Sequence, residues 1–390
     1  MIAPHVLLNP WLGRPFPIGP PLSLFTALWA RVQADVEFDL RPVGFPSVVE
    51  SVPAEELLLA TGLAASPATL PTQFGEWGFL FEHAESLRPG PGQLRLVARA
   101  ATWDSHVKGL FSDRFGMGIA AWLLWKWFDV VHVADAAAFI GRAMADPQNP
   151  YYGRGLTSLG LYGSSGRYKP DFFCLTSQNE AIIAESKAAI GPPSAVSVTE
   201  RTKGKEQTRN VSPVGVRVRA GCGRVVFATN LRLENDRVRA GADTGVHIED
   251  PEGSHDPLPV SVTADEIVIA SYARLFDLCG LDPIGWALTA GFRPLVDSHA
   301  VQESSVDVEG EPVWFFGRVW GLRIGLLTRV AKPLLTASTD GIAARIREAC
   351  LSSPILQRRA RRQHEVPDRR RAIVLPNGTV ARALPADFLG

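Results

Sequence analysis

Asp171, Glu185 and Lys187 stand in the stretch KPDFFCLTSQNEAIIAESK, residues 169–187 of a 390-residue chain. Two carboxylates and an ammonium inside an otherwise apolar segment are an unusual set. If they converge, the carboxylates repel each other, and a divalent cation turns that repulsion into binding. A lysine beside such a cation can orient or deprotonate water, because its pKa responds readily to its surroundings.

Convergence depends on the local fold. Residues 172–175 and 181–184 are apolar and strand-forming, and 176–179 are polar and turn-forming, so the segment reads as a β-hairpin. A turn centred near Gln178 pairs Leu175 with Ala181, Phe173 with Ile183 and Asp171 with Glu185. Directly opposed residues share a face with Cβ atoms roughly 4.5–5.5 Å apart. Lys187 then joins the face of Glu185, and the Ser186 side chain points away. The alternative reading of the same residues is a hairpin edge with a solvated charge cluster, in which Lys187 only neutralises Glu185.

The rest of the chain supplies the setting. Hydrophobic residues make up 46%, enough for a substantial core. Lys plus Arg and Asp plus Glu are 40 each, so an anionic partner has to be met by local charge. Residues 201–239 hold ten Lys or Arg against three acids, directly after the hairpin; residues 243–256 hold five acids and no Lys or Arg. Cys174, Cys222, Cys279 and Cys350 form no C-x-x-C pair, which points to reduced thiols and a cytoplasmic protein. The first twenty residues are too broken by Pro and Gly for a secretory signal. The apolar run 119–140 is interrupted by Lys126, Asp129, His132 and Asp135; it reads as a buried helix or helix pair, with no membrane partner.

Three regions follow: 1–100, of no assigned role; 101–240, an α/β (α+β) core of a small mixed central sheet flanked by helices; and 241–390, a C-terminal α/β region with a basic tail. Within the core the order is a long helix from Ser112, a Gly- and Tyr-rich loop, the hairpin, a helix near 202–210 and the strand RVVFATNLRL. Further on, 263–281 has helical periodicity, 311–329 reads as one or two strands, and a capped helix starts near Ser338 or Thr339.

With Pro170-Asp171, Glu185-Ser186-Lys187 and the helix containing KGKEQ in this order, residues 110–240 resemble the PD-(D/E)xK nuclease superfamily, of restriction-endonuclease-like fold. The resemblance implies Mg2+-dependent phosphodiester hydrolysis, with DNA favoured over RNA, by an endonuclease of prokaryotic defence against foreign DNA. Asp171 and Glu185 would be metal ligands, the Ser186 main-chain carbonyl another, and Mn2+ a substitute for Mg2+. Lys187 would act on the attacking water, and Gln207, matching a polar residue common in the family, would position water or phosphate. Asp113 is the nearest match to the acidic residue that opens the first core helix, where the family more often has Glu. The run Arg201, Lys203, Lys205 and Arg209 is the candidate nucleic-acid grip. The other class of function is a nuclease-like module that only binds nucleic acid or assembles with protein. A protein partner or a homo-oligomer stays open.

Other motifs carry less. GLYGSSGR, residues 160–167, lacks the Lys-Ser/Thr ending of a P-loop. His247 and His255 flank an acidic loop at spacings that suit a solvated surface better than a metal site. His132, Trp122, Trp125 and Trp127 read as core, and the arginines from 358 to 371 as a solubilising helix end or a phosphate contact.

Overall fold

In the computed structural model the described residues are 35–42, 46–65, 83–88, 91–145, 169–191, 195–236, 244–253, 257–290, 305–319, 322–336, 340–361 and 372–383. GLYGSSGR, His255 and Ser338–Thr339 lie outside them. The fold is mixed α/β. The elements are β1 (Asp35–Pro42), β2 (Val48–Pro53), α1 (Ala54–Ala65), β3 (Gly92–Gln93), β4 (Arg95–Leu96), a 3-10 turn (Ala98–Thr102), α2 (Ser105–Trp127), β5 (Val130–Asp135) and α3 (Ala136–Ala145). After the gap come β6 (Phe172–Thr176), β7 (Ala181–Ile190), α4 (Val198–Arg209), β8 (Val211–Val214), β9 (Arg224–Leu233), β10 (Gly245–Glu249), β11 (Leu258–Ser261), α5 (Ala264–Leu278) and α6 (Asp282–Thr289). The chain continues through β12 (Ser305–Val308), β13 (Glu311–Val319), β14 (Leu322–Leu327), α7 (Thr328–Thr336), α8 (Ile342–Leu351), α9 (Pro354–Arg361), β15 (Ile373–Val374) and β16 (Thr379–Ala383).

The main sheet runs β2-β1-β10-β9-β7-β6-β5, with β3 on β1 and β4 on β9. Its centre, β6 and the first six residues of β7, is buried throughout, as a strand covered on both faces must be. β7 and β9 are parallel, with α4 in the crossover between them; β5, β6 and β7 form an antiparallel meander. Counting nine strands, the sheet is larger than the small one expected from sequence. It also passes through the divisions drawn near 100 and 240, since β1, β2 and β10 all belong to it. A second sheet, β12-β13-β14-β16-β15, is confined to the C-terminal region.

Residues 119–140 are the principal correction. Helix α2 is capped by Asp104, whose carboxylate accepts from His106 and Val107 N–H, and ends at Trp127. Asp129 then takes a left-handed φ of 57° and the chain turns into strand β5, not a second helix. The reason is the β-branched run Val130, Val131, Val133, which alternates exposure with period two against β6. Helix α8 also begins later than expected. Gly341, at φ 68°, precedes it without a side-chain cap, and the Asp265 carboxylate of α5 accepts from Gly341 and Ala343 N–H instead. The periodic segment after Thr263 is α5, opened by a Thr263–Glu266 capping box, and 311–329 is the β13–β14 pair.

His132 is a core residue. It is buried, edge-on to Tyr272 at 5.4 Å, and burial pushes its pKa down to about 3. Trp122 and Trp125 are buried as well, whereas Trp127 is 45% exposed. All four cysteines are free thiols. Among the described residues no helix is long and apolar enough to cross a membrane.

Helix α2 packs against α1 where it has no side chain to interfere: a Cβ on Gly118 would overlap the Thr61 side chain and crowd its backbone. Gly118→Ala is therefore expected to destabilise the protein by about 1–3 kcal/mol, the usual cost of overpacking. A lower urea midpoint at unchanged m is the expected reading, and an unchanged midpoint refutes this account of the α1–α2 contact.

Candidate active site

The β6–β7 hairpin has the register expected from its turn: Leu175 faces Ala181, Phe173 faces Ile183, and β6 begins with Phe172 opposite Ala184. Thr176 N–H bonds the Glu180 carbonyl at 2.9 Å, while Ile183 N–H turns the other way, to the Gly223 carbonyl at 3.0 Å. By alternation, residues 182, 184 and 186 of β7 direct their main-chain groups towards β6. The residue that would pair with Ser186 is Pro170, which has no N–H. The ladder therefore stops here, and the Ser186 carbonyl faces a position with no donor.

Side chains close the gap. Ser186 N–H donates to Asp171 Oδ2 at 2.8 Å, and Asp171 N–H donates to Glu185 Oε2 at 3.0 Å. Lys187 Nζ binds Glu185 Oε1. Glu185 is 0% exposed, whereas Asp171 and Lys187 are half-buried. Asp171 Oδ1 accepts no hydrogen bond among the described residues.

Burial pushes the Asp171 carboxyl up to about 7, with the Lys187 charge and the Ser186 N–H opposing it. Burial and the neighbouring Asp171 charge raise Glu185. For Lys187, burial alone would lower the ammonium, but Glu185 and Asp171 outweigh it and the net shift is upward. One ammonium facing two converging carboxyls leaves the group short of positive charge.

Two glycines let helices close on both faces of β7. A Cβ on Gly204 of α4 would lie 3.4 Å from Glu185 Cγ and 3.5 Å from Lys187 Cγ, and one on Gly116 of α2 would sit 3.1 Å from Ser186 Oγ. The Ser186 side chain thus points to the α2 face, away from Glu185 and Lys187, as alternation requires.

Helix α4 carries two stripes with different work. Arg201, Lys205 and Arg209 recur at intervals of four and share one side. Arg201 pairs with Glu249 at 2.9 Å, Lys205 binds the same carboxylate, and Arg209 Nε donates to the Glu252 carbonyl at 2.8 Å. In this structure the three side chains fasten α4 to the end of β10 and the loop that follows it. On the other stripe Lys203, paired with Glu200 at 2.7 Å, lines an open cleft of about 250 Å³ with Lys187 and Gln207. Gln207 reaches that cleft too, and its Nε2 donates to the Lys169 carbonyl at 2.6 Å, pinning the lead-in to β6.

Asp113, the fourth expected metal residue, makes no hydrogen bond or ion pair with the group. It is exposed on α2, and its charge acts on Asp171 and Lys187 through space. Among the described residues no three His, Cys, Asp or Glu side chains are grouped to hold a metal ion. Sequence reading missed Asp135, whose charge also raises Asp171 and whose carboxylate accepts from Ala137 N–H at the start of α3. Its place opposite Phe172 on β5 was hidden by the helical reading of that segment. His247 stands beside Arg41 on the β1–β10 ladder, where burial and the charges of Arg41 and Arg201 lower its pKa. Arg358 donates to the Glu309 carbonyl at 2.7 Å and so joins α9 to the β12–β13 turn.

Comparison with family models, with curated proteins and with solved structures finds no match to this chain.

A carboxyl raised in the folded state stabilises the fold while it is protonated, and that contribution is lost as pH rises through its folded-state pKa. The metal-free protein is thus expected to lose stability between pH 3.8 and about 7 through Asp171. In thermal melts Asp171→Asn should flatten this part of the profile relative to wild type. Parallel profiles for the two proteins contradict the burial assigned to Asp171.

Proposed function

We propose that the protein is a metal-dependent nuclease of the PD-(D/E)xK type, an endonuclease acting on DNA. The observation that carries the reading is the interlock at the broken ladder. Asp171 and Glu185 converge beside Lys187 at the one point where Pro170 leaves a strand carbonyl without a donor. The order of helix α2, hairpin, Gln207-bearing helix α4 and strand β9 supports it, being the order the resemblance implies.

The donor set suits Mg2+, which prefers hard oxygen ligands and keeps several of its waters. Asp171, Glu185 and the Ser186 carbonyl would hold it, and a cation there would offset the repulsion between the two carboxylates once both are ionised. Bound there, Mg2+ or Mn2+ supplies stabilisation of charge on the phosphoryl oxygens and a water of lowered pKa. To serve as ligands both carboxyls would have to be ionised, and Glu185 would have to share or exchange its Lys187 partner. Lys187, beside Glu185 and lining the cleft, would orient the attacking water and offset charge developing on the phosphate. Gln207 acts one step back, by fixing the Lys169 carbonyl and hence the start of β6. Lys203, paired with Glu200, lines the same cleft and would be the α4 cation that meets a substrate phosphate.

A second reading, a module of the same fold that only binds or assembles, is favoured by one observation. Both Glu185 oxygens are already engaged within the protein, by Lys187 and by Asp171 N–H.

Cleavage of supercoiled plasmid and of single-stranded DNA in Mg2+, Mn2+ or EDTA separates the two. Expected are metal-dependent cleavage by wild type, its loss in Asp171→Ala, and a fall of about 10²–10⁴-fold in Lys187→Ala. DNA binding should persist in Lys187→Ala. Absence of divalent-dependent cleavage by wild type on either substrate selects the binding module, and cleavage surviving both substitutions removes the hairpin from the chemistry.

A further inference from the structure

Helix α4 covers the hairpin group, yet it brings no apolar side chain to the sheet. Val198 is its only apolar residue apart from glycine and is 69% exposed; the buried positions are Gly204, Gln207 and Thr208. A helix without an apolar stripe has to be seated by polar ties. The side-chain ties of α4 run to the Lys169 carbonyl through Gln207, to the Glu252 carbonyl through Arg209, and to the Glu249 carboxylate through Arg201 and Lys205.

The tie to Glu249 has a geometry of its own. Register sets Glu185 of β7 level with Val226 of β9, and Val226 opposite Glu249 of β10, so one row crosses three adjacent strands on a single face. At the usual strand spacing its two ends are about 9–10 Å apart. Helix α4 rests on this row: a Cβ on Gly204 would lie 2.9 Å from Val226 Cγ1 and 3.4 Å from Glu185 Cγ. Arg201 and Lys205 flank Gly204 in the helix, and both turn to the far end of the row. Glu249 is 6% exposed, and a carboxylate buried to that degree needs its cations. The near end keeps its own cation, Lys187, from the same strand as Glu185.

We infer that Glu249 is a positioning residue of the proposed active site: by holding Arg201 and Lys205 it seats α4 on the Glu185–Val226–Glu249 row. It thereby fixes where Lys203 and Gln207 stand and, through the Lys169 carbonyl, the lead-in to Asp171. Glu249 acts through α4, from two strands away. Its meaning for catalysis rests on the nuclease reading; the seating of α4 does not.

Hydrogen exchange of the full chain in EDTA, read by mass spectrometry, tests the seating. Glu249→Gln is expected to lower the protection of α4 amides about ten-fold or more, as the loss of a charged tie should, while β5, β6 and β9 keep theirs. Glu249→Asp, which retains the charge, should keep most of the protection. Gly118→Ala is the control: it weakens the helix layer on the other face of β7 and should leave α4 protected. Equal protection of α4 in wild type and Glu249→Gln overturns the inference, as does an equal loss in Gly118→Ala. If Glu249→Gln does not fold, Lys205→Gln decides by the same measurement, since it removes one of the two cations at a part-exposed position. Plasmid cleavage in Mg2+ tests the positioning. Glu249→Gln should cleave about 10–100-fold more slowly, with Glu249→Asp and Gly118→Ala near wild type. Full-rate cleavage with a loosened α4 overturns the positioning role. A wild type whose α4 protection depends on Glu249 but which never cleaves in Mg2+ or Mn2+ overturns the nuclease reading and leaves the seating of α4 standing.

Discussion

Pro170 has no N–H to offer Ser186, and the consequences of that one missing donor organise the site. A β-ladder that continued would have used the Ser186 N–H and carbonyl in ordinary pairing, with no reason for a carboxylate to approach. Because it stops, the Asp171 side chain takes the Ser186 N–H and the Glu185 side chain takes the Asp171 N–H. The two carboxylates are thereby drawn together by main-chain donors despite their mutual repulsion. Lys187, two residues along the same strand face, is the only charge of the hairpin group that opposes that repulsion.

The surroundings then fix how strongly these charges are felt. Glu185 is fully buried because α4 comes close enough, over Gly204, to exclude water from it. That closeness is itself an electrostatic achievement, since α4 is drawn towards β10 by two cations sharing Glu249. Burial raises both carboxyls, and the neighbouring Lys187 ammonium works against that rise. Lys187 and Lys203 line the remaining open side.

The hairpin was legible because its signals are local. Two apolar runs, a polar turn and a period of two fix the register, and the register fixes which residues oppose one another. Strand β9 and helix α5 were equally plain, each carrying its own pattern and, for α5, its own capping box. Strand β5 was not, because Val130–Asp135 directly follows a long helix and shares its apolar composition; only the turn at Asp129 separates them. The extent of the sheet was hidden for a different reason. β1 pairs with β10 across some two hundred residues of chain, and no local pattern announces a partner so distant.

The sequence by itself determined the chemistry available at the hairpin: the residue types, their opposition across a turn, and a proline at the one position where a donor would have closed the ladder. Tertiary structure decided which of the nearby charges are free to act. Arg201, Lys205 and Arg209 look, in one dimension, like a basic surface beside the site. In three dimensions their i,i+4 stripe meets Glu249 and the Glu252 carbonyl, and Gln207 meets the Lys169 carbonyl. Whether a charged side chain binds a ligand or a neighbour depends on what the fold sets within about 3 Å of it, and that distance is set by strands and helices far apart in the chain.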